Sequence, residues 1–363
     1  MTERIRQLQA YMDRQSLDAM LITSPKHVYY LTGFATEPHE RLLALILPRG
    51  EQARLLVPPL DYEAAQTAGS VANIHTHQDT DNAYEILGRL LPDRLTTLGV
   101  EKDNLNVNRY EAIQAAAEAE RYVDVGLALR EMRAVKTPEE IGRMKRAVRL
   151  VEEALRAGVA LVKPGVTELE LVAELEYRMK KLGAQGPSFD TMVLTGPKTA
   201  LPHGTPDRRA VTEGELILFD LGVYAEGYAS DITRTFAVGA VSEELARIYD
   251  AVLQGNLRAI EAIRPGVPLG SLDRIARESI AAAGYGPYFN HRLGHGLGMD
   301  VHEYPSVHGN NEDAAVQGMT FTVEPGIYVP GLGGVRIEDD VLVTAGGVEV
   351  LTTFPKTLTT IGA

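Results

Sequence analysis

The 363-residue sequence contains no cysteine. Disulfide bonds, thiolate nucleophiles and cysteine-based zinc sites are therefore excluded. No apolar run approaches the roughly 20 residues that a membrane span requires. The first stretch, MTERIRQLQAYMDRQSL, is charged and helical in pattern and lacks the apolar core of a signal peptide. We therefore expect a cytoplasmic protein.

Basic residues are outnumbered: 36 Lys and Arg stand against 49 Asp and Glu, which gives a formal net charge of -13. This balance argues against nucleic acid or an anionic membrane as the main partner and predicts solubility. The hydrophobic content of 45% is ordinary for a globular protein. The length allows two domains, each with its own core.

Residues 1–125 alternate helix and strand signals. An amphipathic helix at 2–15 precedes the short strand AMLIT, and the strands LLALILP and ARLLV precede a helix near DNAYEILGRLL. This alternation predicts a small α/β domain. Within it we interpret SPKHVYYLTGF as a loop and a strand, and His27 as an ordinary residue of that segment rather than a ligand contact.

A long helical segment, from about 127 to 162, follows this domain. It breaks at KTPEEI, where Thr137 as N-cap, Pro138 in the first turn and Glu140 predict a capping box. We place the domain boundary just before this segment, so that the second domain comprises residues 126–363.

The second domain contains an internal duplication. KPGVTELELVAELEYRMKKLGAQGPSF resembles RPGVPLGSLDRIARESIAAAGYGPYF, and both predict a loop, a capped helix, a glycine turn and the start of a strand. Further on, EGELILFDLG resembles QGMTFTVEPG, and GYASDIT resembles GVRIEDD. The matches keep their order, at an offset of about 100 to 107 residues, and they align Asp220 with Glu324 and Asp231 with Glu338.

Asp220 and Asp231 interrupt strands that are otherwise apolar, where a carboxylate is disfavoured and costly to bury. A hairpin that turns about Ala225–Glu226 places Asp220 opposite Asp231. A turn one residue later places Asp220 opposite Thr233, with Asp231 diagonal to it. In both registers the two carboxylates share one face of the hairpin, because side chains alternate with a period of two.

The second hairpin repeats this arrangement with Glu324 and Glu338, so pseudo-twofold packing of the halves would bring four carboxylates together. Two unit charges 4 Å apart repel by about 4 kcal/mol at an effective dielectric constant of 20. Pairing with Arg234 and Arg336 would neutralise two charges at most, and Arg234 lies on the opposite face from Asp231. Two divalent ions and a bridging hydroxide nearly balance the charge, which predicts a dinuclear metal site.

A further ligand is available in NHRLGHGLGMDVHE, which contains His291, His295 and His302. Glycines between these histidines allow the backbone to approach a site closely. A single histidine is more often an ordinary core or surface residue, but three within twelve residues indicate a site.

Five of these residues, in this order and spacing, resemble the metal ligands of the pita-bread metallopeptidases: Asp220, Asp231, His295, Glu324 and Glu338. That family includes methionine aminopeptidases, aminopeptidase P and prolidase. The resemblance covers the whole second domain, and the added N-terminal domain is similar to that of the Xaa-Pro branch and of creatinase. It implies a creatinase-like α/β domain over 1–125 and an α+β pita-bread domain with a pseudo-twofold duplication over 126–363.

The resemblance also implies how the ligands divide between the metals. Asp220 chelates one metal, and His295 and Glu324 bind the other. Asp231 and Glu338 bridge the two. Four oxygen ligands and one nitrogen favour Mn²⁺, with Co²⁺ or Zn²⁺ as alternatives.

Other residues match positions that act on the substrate or support the ligands. His203 corresponds to a substrate-positioning histidine, His302 to the one that contacts the scissile amide, and His291 to a further substrate-side histidine. Arg336 resembles an arginine that steadies a ligand carboxylate, and Tyr328 matches another supporting position. For Arg336 and Tyr328 a purely structural role stays open.

The implied reaction is hydrolysis by a hydroxide that two divalent ions generate at neutral pH. Glu324 can take the water's proton and pass it to the leaving nitrogen. His203 and His302 can stabilise the oxyanion or hold the peptide. A binding protein that has lost catalysis, and creatinase, which does not share the ligand set, are both disfavoured because all five ligands are present.

The expected function is that of an Xaa-Pro aminopeptidase of the aminopeptidase P type, acting on short proline-containing peptides; the resemblance also suggests a homodimer. The alternative is an Xaa-Pro dipeptidase (prolidase), which must recognise a free carboxylate after the proline, a task suited to arginine. Some prolidases that this chain resembles carry arginine directly after the HE-x-P segment, where HEYPS has Ser306. Arg292 or the N-terminal domain could substitute for it.

Overall fold

The computed structural model describes residues 3–362, so the predicted helix start at Thr2 lies outside the described residues. The chain divides into two compact units, Met1–Arg130 and Glu131–Ala363. The boundary predicted between residues 125 and 126 lies at the start of the helix that contains this division. Among the described residues, no helix combines the length and the apolar character needed to cross a membrane.

The first unit has the predicted α/β architecture. Its helices are α1 (Glu3–Gln15), α2 (Pro25–Thr32), α3 (Tyr62–Ala68), α4 (Ala83–Leu90) and α5 (Val107–Ala117), with a short 3-10 helix at Pro59–Asp61. Its strands are β1 (Ala19–Ile22), β2 (Ala44–Pro48), β3 (Arg54–Val57), β4 (Asn73–Thr76), β5 (Thr97–Val100) and β6 (Arg121–Asp124). They form one mixed sheet in the order β4-β3-β2-β1-β5-β6.

The segment SPKHVYYLTGF forms helix α2, so its prediction as a loop and a strand was wrong. Ser24 caps the helix by accepting a hydrogen bond from the backbone N–H of His27, and Pro25 occupies the first turn. Gly33 ends the helix in the left-handed conformation, with φ of 75°. These are ordinary helix-boundary signals, and they outweigh the strand preference of the valine and tyrosines between them.

Two helices, α6 (Gly126–Ala134) and α7 (Pro138–Val159), replace the long predicted segment, with the expected break between them. The Thr137 side chain accepts from the N–H of Glu140, and the Glu140 carboxylate accepts from the N–H of Thr137. The predicted capping box is therefore confirmed.

The second unit is an α+β structure. Its remaining helices are α8 (Glu168–Lys181), α9 (Glu243–Glu261) and α10 (Leu269–Ala282), with 3-10 helices at Gly196–Ala200 and Gly286–Tyr288. Its strands are β7 (Gly186–Pro187), β8 (Met192–Thr195), β9 (Leu216–Leu221), β10 (Val223–Ala225), β11 (Tyr228–Ala229), β12 (Ile232–Val238), β13 (Gly294–Gly296), β14 (Glu303–Val307), β15 (Thr320–Val323), β16 (Gly326–Val329), β17 (Gly333–Arg336), β18 (Asp339–Thr344), β19 (Gly347–Val350) and β20 (Thr360–Ile361).

The duplication predicted from the sequence is visible as two similar halves. In the first half β9 pairs antiparallel with β12 and with β8, and Leu175 of α8 shares a core with Phe219 of β9. In the second half β15 pairs antiparallel with β18 and with β13, and Leu272 of α10 shares a core with Phe321 of β15. Helices α8 and α10 each have 14 residues, but the N-cap position before α10 is Pro268, so the side-chain cap that was predicted is missing there.

The register of the first hairpin places Asp220 opposite Thr233, which is the later of the two predicted registers. In the second half, Val323 lies opposite Asp339 and Gly326 lies opposite Arg336. The backbone N–H of Glu338 donates to the carbonyl oxygen of Thr233 at 3.2 Å, so the acidic residues of the two hairpins lie where the two halves meet.

Candidate active site

A cavity of about 520 Å³ lies in the second unit and contains every residue predicted to bind a metal or the substrate. Its lining residues are Phe189, Met192, Pro202, His203, Asp220, Asp231, His291, Arg292, His295, Val301, His302, Glu324, Tyr328, Arg336 and Glu338. The apolar members Phe189 and Met192 were not predicted. Phe189 belongs to the repeated Gly-Pro-x-aromatic segment, but nothing in that motif shows which way the ring faces.

Two groups of possible metal ligands share one residue, Glu338. Asp220, Asp231 and Glu338 present ligand atoms that all lie within 4.8 Å of one another. His295, Glu324 and Glu338 do the same. The structure therefore brings together all five residues that the resemblance assigned to two metals.

His295 is oriented by its backbone neighbours. Its Nδ1 lies 3.2 Å from the carbonyl oxygen of Gly296, which turns Nε2 towards the carboxylates: Nε2 donates to them when the ring is protonated and offers a lone pair to a cation when the ring is neutral. That Nε2 lies 3.2 Å from Oε1 of Glu324 and 3.8 Å from Oδ2 of Asp231. Strand β13 lies so close to β15 here that a Cβ on Gly294 would stand 1.9 Å from the carbonyl oxygen of Thr322.

The acidic residues are buried together with little compensation. Burial, followed by the charges of the neighbouring carboxylates, raises the pKa of Asp231 and of Glu338 well above the usual range. Oδ1 of Asp231 is buried and has no hydrogen-bond partner among residues 3–362. Buried carboxylate oxygens without partners are costly, so this donor set fits divalent cations, which would hold it ionised.

Glu324 differs from these two carboxylates. Burial opposes its ionisation, but the hydrogen bond and charge of His295 lower the pKa of Glu324 to about 2. Thr322 also donates a hydrogen bond to Oε1 of Glu324 at 3.1 Å. Glu324 is therefore an acceptor at neutral pH.

Arginine does not replace the cations. The guanidinium of Arg336 contacts Asp220, whereas Arg234 pairs with Asp339 at 2.8 Å and donates to the carbonyl oxygen of Glu338. Arg336 thus neutralises one carboxylate of the four. Arg234 therefore lies on the strand face opposite Asp231, as the spacing of these two residues predicted.

A chain of hydrogen bonds connects Arg336 to His291. Arg336 donates to the hydroxyl of Tyr328 at 2.9 Å, and that hydroxyl lies 3.0 Å from Nε2 of His291. Nδ1 of His291 lies 2.8 Å from the carbonyl oxygen of Arg292. Burial lowers the pKa of His291, so its ring is neutral and both nitrogens are engaged within the protein. These contacts let His291 support Tyr328, and its predicted role on the substrate side stays a prediction.

His302 and His203 are more open to the cavity. The ring of His302 lies 3.7 Å from that of His295, measured between centroids. Burial and the neighbouring His295 lower the pKa of His302 to about 4, so it is neutral at pH 7. His203 is exposed at the cavity wall. Among the described residues, neither of these two imidazoles has a hydrogen-bond partner, so both can contact a bound peptide.

The raised acid pKa values predict how the metal-free protein responds to pH. An acid whose pKa is raised by folding holds its proton more tightly in the folded state, so the free energy of unfolding falls as pH rises above about 4. Asp231 and Glu338 therefore destabilise the metal-free protein progressively towards neutral pH, by up to about 1.4 kcal/mol per pH unit for each proton released. Differential scanning calorimetry after chelation measures this as a fall in Tm.

His291 and His302 act in the opposite direction, because their lowered pKa values add stability as pH rises towards about 6.5, the pKa of histidine in the unfolded chain, and add no more above it. The double variant Asp231→Asn/Glu338→Gln keeps both histidines and removes both acids. We expect the Tm of the metal-free wild type, minus that of this variant, to become more negative between pH 5 and pH 8. A difference that stays constant or rises would contradict the assignment of the raised pKa values to this pair.

Known proteins resemble both parts of the chain. The sequence profile of metallopeptidase family M24 matches residues 142–345, and that of the creatinase/prolidase N-terminal domain matches residues 4–135. "Putative dipeptidase YkvY" of Bacillus subtilis (strain 168) is 43% identical over 358 residues, which cover 98% of this chain and 99% of the relative.

Solved structures agree over nearly the whole length. The prolidase from Pyrococcus horikoshii OT3 has a TM-score of 0.91 and 37% identity, covering 98% of this chain and 100% of that one. The X-Pro aminopeptidase from Thermotoga maritima MSB8 has a TM-score of 0.86 and 31% identity, covering 97% and 100%. The predicted resemblance to the pita-bread peptidases is confirmed: this chain belongs to metallopeptidase family M24 and has the N-terminal domain of creatinases and prolidases.

Proposed function

We propose that this chain is a metal-dependent Xaa-Pro dipeptidase, which hydrolyses the bond between a first residue and a C-terminal proline. Membership of the M24 family and the cluster of five metal-binding side chains support a metallopeptidase. Relatives named as dipeptidase and prolidase support the dipeptidase over the aminopeptidase P type that the sequence favoured. Similarity to the X-Pro aminopeptidase from Thermotoga maritima makes aminopeptidase P the second candidate.

The position of Arg292 is the observation that favours a dipeptidase over aminopeptidase P. The sequence favoured aminopeptidase P because Ser306 stands where some prolidases have arginine. In the structure, Arg292 donates from Nη1 to Oγ of Ser306 at 2.9 Å, and Arg292 itself lines the cavity. A guanidinium therefore lies beside position 306, although it comes from another point of the chain. It is suited to bind the free carboxylate of a terminal proline.

The residues of this chain have separate tasks in the reaction. Two divalent cations, when bound, activate water as the nucleophile and polarise the scissile carbonyl. Glu324 is ionised and can accept the water's proton and return it to the departing proline nitrogen. His302 is neutral and can donate a hydrogen bond to the oxygen on which negative charge develops. His203 holds the peptide from the exposed wall.

We propose Mn²⁺ as the working cation, because the ligand set contains four carboxylates and one imidazole. Activity restored to the chelated protein by Mn²⁺, and less by Co²⁺ or Zn²⁺ at matched free concentration, tests this choice. We also propose a homodimer, which size-exclusion chromatography with light scattering tests.

The deciding experiment compares Xaa-Pro with Xaa-Pro-Yaa that has the same first residue, in Mn²⁺. We expect kcat/KM to be at least about tenfold higher for the dipeptide, which corresponds to about 1.4 kcal/mol in the transition state. Equal or faster cleavage of the tripeptide would reject the dipeptidase and support aminopeptidase P. Cleavage of neither, by protein loaded with metal, would reject Xaa-Pro specificity itself.

Arg292→Met should lower kcat/KM for the dipeptide by roughly 10- to 100-fold and change it less than about threefold for the tripeptide. A hydrogen bond to a charged group contributes about 1.5–3 kcal/mol, and the tripeptide has no carboxylate at that position. Steady-state kinetics on both substrates measures the two effects.

Arg274→Met is the matched control, because Arg274 is an exposed arginine that pairs with Glu312 outside the cavity. It should leave both substrates unaffected. Equal losses on the two substrates in Arg292→Met would show that Arg292 does not recognise the carboxylate.

A further inference from the structure

A group of four charged side chains, three of them buried, lies next to the turn that carries His302. Arg133 Nη2 contacts Asp300 Oδ2 at 2.6 Å and Glu303 Oε2 at 2.5 Å, and Lys136 Nζ contacts Glu303 Oε1 at 2.7 Å. The side chains of Arg133, Lys136 and Glu303 are only 7%, 1% and 6% exposed. We call these four residues the 133/303 cluster. None of them lines the cavity.

The cluster contacts both ends of the short turn from 300 to 303. The backbone N–H of Asp300 donates to Glu303 Oε2 at 3.4 Å, and the N–H of Gly298 donates to the carbonyl oxygen of Asp300 at 3.1 Å. Residues 301 and 302 lie between these fixed points, and both line the cavity. The turn thus holds its inner residues towards the site while its acidic residues face the cluster.

His302 depends on this turn for its position. In the described part of the chain its imidazole makes no hydrogen bond, and it contacts the ring of His295. A side chain without a hydrogen-bonded partner is placed by its backbone and by packing alone. Any movement of the turn is therefore passed on to the imidazole.

At Gly298 the backbone packs directly against the side chains of Glu303 and Lys136, with no room for a Cβ atom. A Cβ at this position would lie 2.5 Å from Oε1 of Glu303 and 2.9 Å from Cε of Lys136. The backbone N–H of Lys136 also donates to the carbonyl oxygen of Gly318 at 2.8 Å, which holds the lysine in place. The turn, the glycine and the lysine therefore pack as one unit.

The charges of the cluster balance, with two cations facing two carboxylates. Burial opposes the ionisation of Glu303, but Lys136 and Arg133 lower the pKa of its carboxyl. A buried ion pair gives little net stability compared with apolar packing, yet removing one partner leaves an uncompensated charge. Because this cluster contributes little net stability and lies beside the turn that carries His302, we interpret it as positioning that turn.

We infer that Arg133 and Lys136 are positioning residues for His302: through Glu303 and Asp300 they hold the 300–303 turn so that the imidazole faces the scissile bond. This inference rests on the proposed peptidase function. Neither residue touches the substrate or the metal ligands. Their contribution is made through His302, and it disappears when His302 is removed.

The central variant is Lys136→Met, which removes the charge and keeps the length of the side chain. We expect kcat for the Xaa-Pro dipeptide to fall about tenfold or more, because a displacement of about 1 Å at a catalytic group can cost up to 100-fold. KM should change less than about threefold, and metal content should stay at the wild-type value. Lys136→Arg, which keeps the charge, should recover most of kcat.

A double-mutant cycle separates positioning from a general structural effect. In a His302→Ala background, Lys136→Met should cause no further loss of kcat, because the two changes act through one group. A loss of the same factor in both backgrounds would overturn the inference. Wild-type kcat in Lys136→Met would overturn it as well.

Two controls test the alternative that any loss of stability lowers kcat. Lys145→Met removes a lysine of α7 that pairs with Glu349 at 2.6 Å while 39% exposed. Val151→Ala opens a cavity at a fully buried position of the same helix. Both should keep wild-type kcat, even where Val151→Ala lowers Tm as much as Lys136→Met. Loss of kcat in proportion to Tm across all three variants would contradict positioning.

Hydrogen exchange supplies a readout that does not depend on activity. The amides of 297–304 should exchange at least about tenfold faster in Lys136→Met, and at the wild-type rate in both controls. An unchanged rate in this segment would overturn the inference even if the proposed substrate is wrong. If Lys136→Met does not fold, Asp300→Asn at the more exposed end of the cluster takes its place in the cycle, with the same criteria.

Discussion

Asp231→Asn is expected to lower kcat/KM for Xaa-Pro substrates by about 10³-fold or more, which corresponds to about 4 kcal/mol in the transition state. Asp231 belongs to a buried group with Asp220 and Glu338, and one of its carboxylate oxygens has no hydrogen-bond partner in the part of the chain that the structure describes. An amide of the same size carries no charge to hold a divalent cation there. Metal analysis of the purified variant should show at least one cation fewer per chain than wild type.

The fold should survive this substitution, because the metal-free wild type already contains a carboxylate that is disfavoured by burial. Removing it lowers the repulsion within the cluster. We expect the metal-free variant to melt at or above the Tm of the metal-free wild type. Asp250→Asn, at an exposed position of α9, is the matched control and should change neither activity nor metal content. A variant with both cations and wild-type turnover would exclude Asp231 as a bridging ligand.

His302→Ala is expected to keep both cations and to lower kcat by about 10²- to 10³-fold, the range found when one donor to a developing oxyanion is removed. Its imidazole is neutral at pH 7 because burial and His295 lower its pKa to about 4. A neutral ring can donate a hydrogen bond from whichever nitrogen carries the proton. Because this contact strengthens as charge develops, KM should change much less than kcat.

His308→Ala is the comparison, since His308 is an exposed histidine a few residues beyond the same turn and outside the cavity. It should retain wild-type kcat and metal content. His302 also lies close enough to Asp231 and His295 to offer a ligand atom. A loss of metal in His302→Ala would therefore reassign His302 from the substrate to the metal centre.

Much of this architecture follows from local patterns. The alternation of helix and strand in the first unit, the capping box of α7 and the two matching halves of the second unit all depend on residues close together in the chain. The acidic residues could also be located, because a carboxylate inside an apolar strand needs a partner. The one helix that was wrongly predicted, α2, has its signals at its ends, where Ser24, Pro25 and Gly33 set its boundaries.

Arg292 illustrates what local patterns do not contain. The sequence shows Ser306 after HEYP and an arginine fourteen residues earlier, and nothing in their spacing brings the two together. They meet because β13 and β14 pair antiparallel, which folds the intervening segment back on itself. The resulting hydrogen bond of 2.9 Å is the contact on which our proposal of a dipeptide substrate rests.

The same distinction applies to the metal centre and its surroundings. By itself the sequence determined which residues are candidate ligands, and on which face of each strand they lie, because strand alternation and the internal repeat are properties of the chain order. Only the tertiary structure decided that both halves present their acids to one cavity, that His291 is engaged by Tyr328, and that the cluster formed by Arg133 and Lys136 with Asp300 and Glu303 lies behind His302. Those contacts join residues more than 30 positions apart, up to 170 for Arg133 and Glu303. Their geometry depends on how the halves pack, which no local pattern encodes.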